Sequence, residues 1–180
     1  MLRQILMSLV LAFSASMALN AQAIPVAERV ASIQVGVGLS IYQPDYNPGT
    51  IKGYSIFGDF DLGRHIGIEG NIHMVNVSTP GGIAENSYLL GPRVGFTRRR
   101  FHPYAKALAG IGVFTFEPVS ANAKSSSSAH RIYAFGGGLD IRTTRRLNIR
   151  ALDLEYQRWP GFSSDGLTPL GATVGIAYNF

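Results

Sequence analysis

The stretch Leu170-Gly171-Ala172-Thr173-Val174-Gly175-Ile176-Ala177-Tyr178-Asn179-Phe180 alternates without a break. Leu170, Ala172, Val174, Ile176, Tyr178 and Phe180 fall on one face, and Gly171, Thr173, Gly175, Ala177 and Asn179 on the other. Side chains of a β-strand leave the backbone on opposite sides in turn, so this period of two marks a strand with one greasy face and one small or polar face. From Ser32 onward no convincing 3.6-residue apolar pattern competes with it.

Seven further segments repeat the signal. Apolar positions Ile33–Ile41, then Tyr54, Ile56, Phe60 and Leu62, then Ile66, Ile68, Ile72 and Met74 define the first three. Tyr88, Leu90, Val94 and Phe96 define the fourth, and Tyr133, Phe135, Leu139 and Ile141 the sixth. The fifth, Tyr104 to Phe116, is apolar on both faces. Lys106 is assigned inward there, because a charge facing lipid at mid-depth costs ~2–4 kcal/mol. In the seventh, Leu147 and Ile149 share one parity while Leu152, Leu154 and Tyr156 share the other, which predicts a β-bulge near Ala151.

The connections alternate in length. Pro44–Thr50, Ser78–Asn86, Glu117–Ala129 and Pro160–Gly166 are long and turn-rich, and the Ser125–Ser128 run reads as a mobile loop tip. Gly63–His65, Arg99–Phe101 and Thr144–Arg146 are tight. Eight strands joined this way form an up-and-down barrel with short turns at one end and longer loops at the other. The expected fold class is therefore an all-β, eight-stranded antiparallel transmembrane barrel.

Alternation alone does not say which face looks outward, since a lipocalin-like ligand carrier alternates with its apolar face inward. Here the polar faces mix charges with glycines. Asp59, Asp61, Glu69, Asp140, Asp153 and Glu155 accompany Arg93, Lys106 and Arg142, interleaved with Gly36, Gly38, Gly91, Gly136, Gly138 and Gly175. Glycines weaken a strand that faces water, whereas a narrow lumen needs small residues and paired charges. Aromatics also cluster by depth. Tyr42, Tyr54, Tyr88, Tyr133, Tyr156 and Trp159 gather at the loop end, with Phe60, Phe96, Phe101, Tyr104, Tyr178 and Phe180 at the turn end, as two membrane interfaces select. The sequence also stops in a strand, where a lipocalin pattern continues into a helix. The nine charged residues form an expected lumenal network, read as a salt-bridged plug that replaces a hydrophobic core.

The bulk properties fit an exported barrel. The chain has 180 residues, no cysteine, only 15% charged residues and a net charge of +5. Disulfides and thiolate metal sites are thereby excluded. Arg3, the apolar run Ile5–Phe13 and Ala21-Gln22-Ala23 compose a cleavable signal peptide over residues 1–23. A short segment, 24–31, follows, and the barrel domain spans 32–180. Export places the protein in the cell outer membrane, with the lipid bilayer as its first partner.

Four motifs carry a family resemblance: Tyr88-Leu89-Leu90-Gly91-Pro92-Arg93, Pro103-Tyr104-Ala105-Lys106, Gly136-Gly137-Gly138-Leu139-Asp140 and Ala177-Tyr178-Asn179-Phe180. On these the mature chain resembles the OmpA/OmpX-like small outer-membrane β-barrel superfamily, in particular its barrel-only members. The resemblance implies that the terminal strand, through Ile176, Tyr178 and Phe180, carries the signal read by the barrel-assembly machinery. It does not imply wall anchoring, since no peptidoglycan-binding domain follows Phe180 in this sequence.

Other chemistry is weaker. His73 and His130 share the inward face with Glu69, without the tight spacing of a metal site, and no Ser–His pair points to lipid. Gly136–Gly138 lies mid-strand with no helix behind it, so a phosphate-loop reading fails. Arg98–Arg100, Arg145–Arg146 and Arg64 form a basic collar at the turn end, read as snorkelling to inner-leaflet phosphates rather than binding nucleic acid. The expectation is a structural or surface-interaction barrel with no catalytic site, no metal and no cofactor, its outer-loop ligand unspecified. A narrow channel, a lipid A-modifying enzyme and a secreted lipocalin-like carrier are the alternatives.

Overall fold

The computed structural model describes residues 32–45, 49–75, 83–116, 126–162 and 166–180. The expected signal peptide, the segment 24–31 and Ser125 lie outside the described residues. Among those described, eight strands follow one another: β1 (Ser32–Gln43), β2 (Ile51–Asp61), β3 (Ile66–Val75), β4 (Ile83–Gly95), β5 (Phe101–Phe116), β6 (Ser126–Arg142), β7 (Leu147–Arg158) and β8 (Leu170–Asn179). Each pairs antiparallel with its neighbours in sequence, and β8 returns to β1 through a ladder from Gln34↔Asn179 to Gln43↔Leu170. The sheet is a closed barrel. Closure leaves no strand edge whose backbone groups would lie unpaired in hydrocarbon.

The alternation of the sequence becomes the two faces of the wall. Asp59, Glu69 and Asp153 are 3%, 0% and 2% exposed, while Ile68, Leu154 and Ile176 are 40%, 47% and 54% exposed. These apolar side chains therefore point away from the axis and these ionisable ones toward it. A soluble carrier requires the opposite polarity, so the lipocalin-like alternative is overturned.

The bulge lies where the parity of the sequence slips. Opposite β6, Leu139 pairs with Leu152 and Asp140 with Arg150, which leaves Ala151 as the extra residue; the β7–β8 register shifts between Arg150 and Asp153. The insertion lets Asn148 and Arg150 on one side, and Asp153, Glu155 and Gln157 on the other, all face the bore.

Two segments expected as loop are strand. Ile83–Asn86 extends β4, and Ser126–Ala129 extends β6 opposite Phe116–Val113, so the serine run belongs to a ladder from Ser126 onward. Polar side chains hide strand character in such positions, because the backbone pairing that holds them has no signature in hydropathy. At the other end, Arg98 and Phe101 exchange backbone hydrogen bonds of 2.9 and 3.0 Å around a two-residue turn, with Arg99 at φ 59°.

Candidate functional site

The interior is divided along the axis into a charged half and an apolar half. In the charged half, strand register sets the ring of contacts. Asp59 stands opposite Glu69, Arg93 opposite Lys106, and Asp140 opposite Arg150. Closure of the sheet then brings these pairs face to face across the bore.

Arg150 is at the centre of the cluster, 1% exposed. Its guanidinium lies 3.0 Å from Asp59, 3.2 Å from Glu69, 3.1 Å from Asp140 and 3.3 Å from Asp153. Arg93 reaches Asp59 and Asp140 at 2.6 Å each and Glu69 at 3.7 Å. Lys106 holds Glu69 at 3.0 Å, Asp153 at 2.7 Å and Glu155 at 2.9 Å. Five carboxylates thus share three cations. Neutral donors offset part of the excess. The Gln34 amide donates to Asp59 and Asp140, the Gln157 amide to Glu155 at 2.8 Å, and the Tyr42 hydroxyl to Glu155 at 3.4 Å. Shared cations make these buried charges tolerable, although one oxygen each of Asp59 and Asp153 is buried without a hydrogen-bond partner.

Aromatic rings complete the packing. The Arg150 guanidinium stacks 3.6 Å from the Phe57 ring centroid, and that of Arg93 lies 3.9 Å from Tyr104. Such cation–π contacts stabilise a desolvated guanidinium without adding another charge. Inward glycines make the room. A Cβ at Gly138 would meet the Tyr104 hydroxyl at 2.6 Å, and one at Gly36 would overlap the Phe57 ring.

Of the nine residues expected in the network, Asp59, Glu69, Arg93, Lys106, Asp140, Asp153 and Glu155 come together in it. Asp61 and Arg142 do not. Asp61 is half-buried at the turn end, accepting a hydrogen bond from Ser32 at 2.9 Å, and Arg142 is exposed at the same mouth. Each is the last residue of its strand, at the mouth of the bore rather than among the interior charges. Arg150, which the sequence expectation omits, is the best-connected member. Its parity with Asn148, opposite Leu147 and Ile149, is the signal that points it inward.

Three aromatics expected at the interfaces belong to the interior instead. Tyr42, Tyr104 and Trp159 are buried, while Tyr54, Tyr88, Tyr133 and Tyr156 at the loop end, and Phe60, Phe96, Phe101, Tyr178 and Phe180 at the turn end, face outward. Trp159 joins Phe114, Leu89, Leu108, Ile132 and Leu167 in an apolar cluster inside the loop half. Its ring packs at 4.9 Å on Phe114 and fills the space left by Gly112, and its indole N–H donates to Gln157 at 2.9 Å. This cluster explains why β5 is apolar on both faces.

Around the mouths the chemistry is sparse. His73 is buried 3.4 Å from Glu155 with its ring edge-on to Tyr42, and no group of metal-ligating side chains converges among the described residues. His130 stands 3.2 Å from the Ser128 hydroxyl, a pairing the sequence did not reveal, on the interior parity above Ile132. At the turn end a polar cleft of about 70 Å³ opens among Arg64, His65, His102 and Arg142, floored by Arg93 and Asp140.

Known structures repeat this architecture. Neisserial surface protein A is 11% identical, with a TM-score of 0.65, over 83% of this chain and 97% of that one. Ail, the attachment invasion locus protein of Yersinia pestis, is 19% identical with a TM-score of 0.55, over 83% and 97%. The outer membrane protein OprG of Pseudomonas aeruginosa is 13% identical with a TM-score of 0.55, over 83% and 95%. These likenesses concern the fold. No curated protein matches the sequence. The profile described as "Outer membrane protein beta-barrel domain" matches residues 8–180. With its apolar wall turned outward and a cluster of charges buried inside, the chain belongs to that family of outer-membrane β-barrels.

Proposed function

We propose that this outer-membrane barrel is a passive structural or surface-interaction protein whose bore is closed to ions and solutes. One observation carries the reading: the buried ion-pair cluster around Arg150 and the apolar cluster around Trp159 lie in series along the same bore. A conducting path needs connected water, and each cluster excludes it by a different means. Purified barrel in a planar bilayer is expected to give no stable openings. Reproducible unitary currents would replace this reading by the narrow channel.

The eight clustered charges are assigned a structural role, and the outer loops the contact with other molecules. Residues 1–23 are assigned as the cleaved signal, so N-terminal sequencing of the membrane-bound form is expected to begin at Ile24. Ile176, Tyr178 and Phe180 are assigned as the insertion signal for the assembly machinery. Their side chains project outward from the closing strand, which makes them readable before closure.

The Ser128–His130 hydrogen bond favours a second reading, a hydrolytic dyad acting on lipid A. The pair shares the interior parity of β6, which turns it from the acyl chains. Lipid A mass spectra are expected to be identical with the wild type and Ser128→Ala overexpressed. A deacylated species lost in Ser128→Ala would establish the enzyme.

A further inference from the structure

All three tight turns carry arginine, and among the described residues at that end arginines far outnumber acidic side chains. Arg64 marks the β2–β3 turn, Arg98 to Arg100 the β4–β5 turn, and Arg145 with Arg146 the β6–β7 turn; every one is exposed. Arg142, also exposed, closes the circle at the end of β6. Among the described residues at that end, Asp61 is the one Asp or Glu side chain outside the interior cluster, against seven arginines. The result is a ring of cations around one rim.

The depth of the ring is set by what lies next to it. Outward-facing Phe60, Phe96, Phe101, Tyr178 and Phe180 form an aromatic girdle at the same end, with exposed Leu62, Ile66 and Leu147 between them. Aromatic girdles settle at the border between acyl chains and headgroups. Side chains one turn beyond that border reach the phosphates directly. The Arg98–Phe101 turn illustrates this, since its girdle residue is joined by backbone hydrogen bonds to its cation. Guanidinium groups bind phosphate through paired N–H donors, which a merely depth-setting positive charge does not require.

We propose that this rim is a selective binding site for anionic phospholipid headgroups of the leaflet it faces. The ring recruits a shell of phosphate-bearing lipids of net negative charge in preference to zwitterionic ones. The proposal rests on the membrane placement of the barrel and goes beyond it, because a barrel anchored only by its apolar band has no headgroup preference.

The full barrel, reconstituted in phosphatidylcholine vesicles, is probed with spin-labelled phosphatidylglycerol and spin-labelled phosphatidylcholine, comparing the motionally restricted fraction of each. A polybasic segment gains about fivefold in membrane affinity per basic residue near an anionic surface, so even partial engagement gives a several-fold selectivity for phosphatidylglycerol. Replacing Arg98, Arg99, Arg100, Arg145 and Arg146 by Gln is expected to abolish the selectivity, and 0.5 M NaCl to weaken it. Heat-modifiable gel migration reports separately whether the variant is a folded barrel. Equal restriction of both lipids by the folded wild type would overturn the proposal, leaving the membrane placement intact. Loss of selectivity on adding millimolar inorganic phosphate would overturn it in favour of a free-anion site. A variant that keeps its lipid selectivity but no longer sediments with purified peptidoglycan would overturn it in favour of a wall contact.

Discussion

At the level of single side chains, Arg150 and Arg142 make a controlled pair. Arg150 contacts four carboxylates inside the bore, whereas Arg142, eight positions away, projects from the rim. Arg150→Met leaves those carboxylates with two cations, and breaking a buried pair costs about 3–5 kcal/mol. Arg142→Met is expected to change stability by less than about 0.5 kcal/mol, as exposed substitutions do. Reversible denaturant unfolding of the reconstituted barrel measures both. Equal effects would mean that the interior charges are hydrated rather than sealed. A smaller gain lies at Arg99, whose φ of 59° is left-handed. A side chain there costs roughly 1 kcal/mol that glycine avoids, so Arg99→Gly is expected to stabilise the barrel and Arg99→Val to destabilise it. The same unfolding curves decide.

At the level of strands, parity was the readable quantity, and most of the interior follows from it. The parity of Lys106 puts Tyr104 inside, that of Ser40 puts Tyr42 inside, and that of Asp153 puts Trp159 inside. Residue type pulls the other way, because amphipathic rings mark depth in a membrane without saying which side of the wall they occupy. The loop-side ends of β4 and β6 were not legible, since the pairing of Ser126–Ser128 with Phe114–Phe116 leaves no alternation of apolar and polar residues in β6. Nor does parity reveal which inward charges meet, as that depends on stagger across strands distant in sequence. The bulge was legible because two runs of opposite phase cannot share one face. Deleting Ala151 tests how much rests on it. Without the extra residue either Asn148 and Arg150, or Asp153 and Glu155, must turn to lipid, and one Arg at mid-depth already costs ~2–4 kcal/mol. The deletion variant is expected to lose the folded, unheated band on gels, while Ala151→Gly retains it.

At the level of the whole molecule, the two interior clusters differ in how they respond to solution conditions, which separates their roles from that of the rim. Ions in water screen exposed charges over about 8 Å at physiological salt, but they screen charges buried in the bore far less. Raising NaCl from 0.1 to 1 M is therefore expected to leave the unfolding midpoint of the reconstituted barrel nearly unchanged, although it weakens headgroup selection at the rim. The seals are also expected to act independently. Trp159→Ala opens the apolar half, where the indole fills the space beside Gly112, and touches the ion-pair cluster beneath it only through the Gln157 amide, which keeps its bond to Glu155. The variant should lose about 3–5 kcal/mol of stability, as large aromatic truncations do, and still pass no current in a planar bilayer. Stable openings in Trp159→Ala but not in the wild type would locate the seal in the loop half alone. The charged half would then be a wet vestibule, its carboxylates solvated by water.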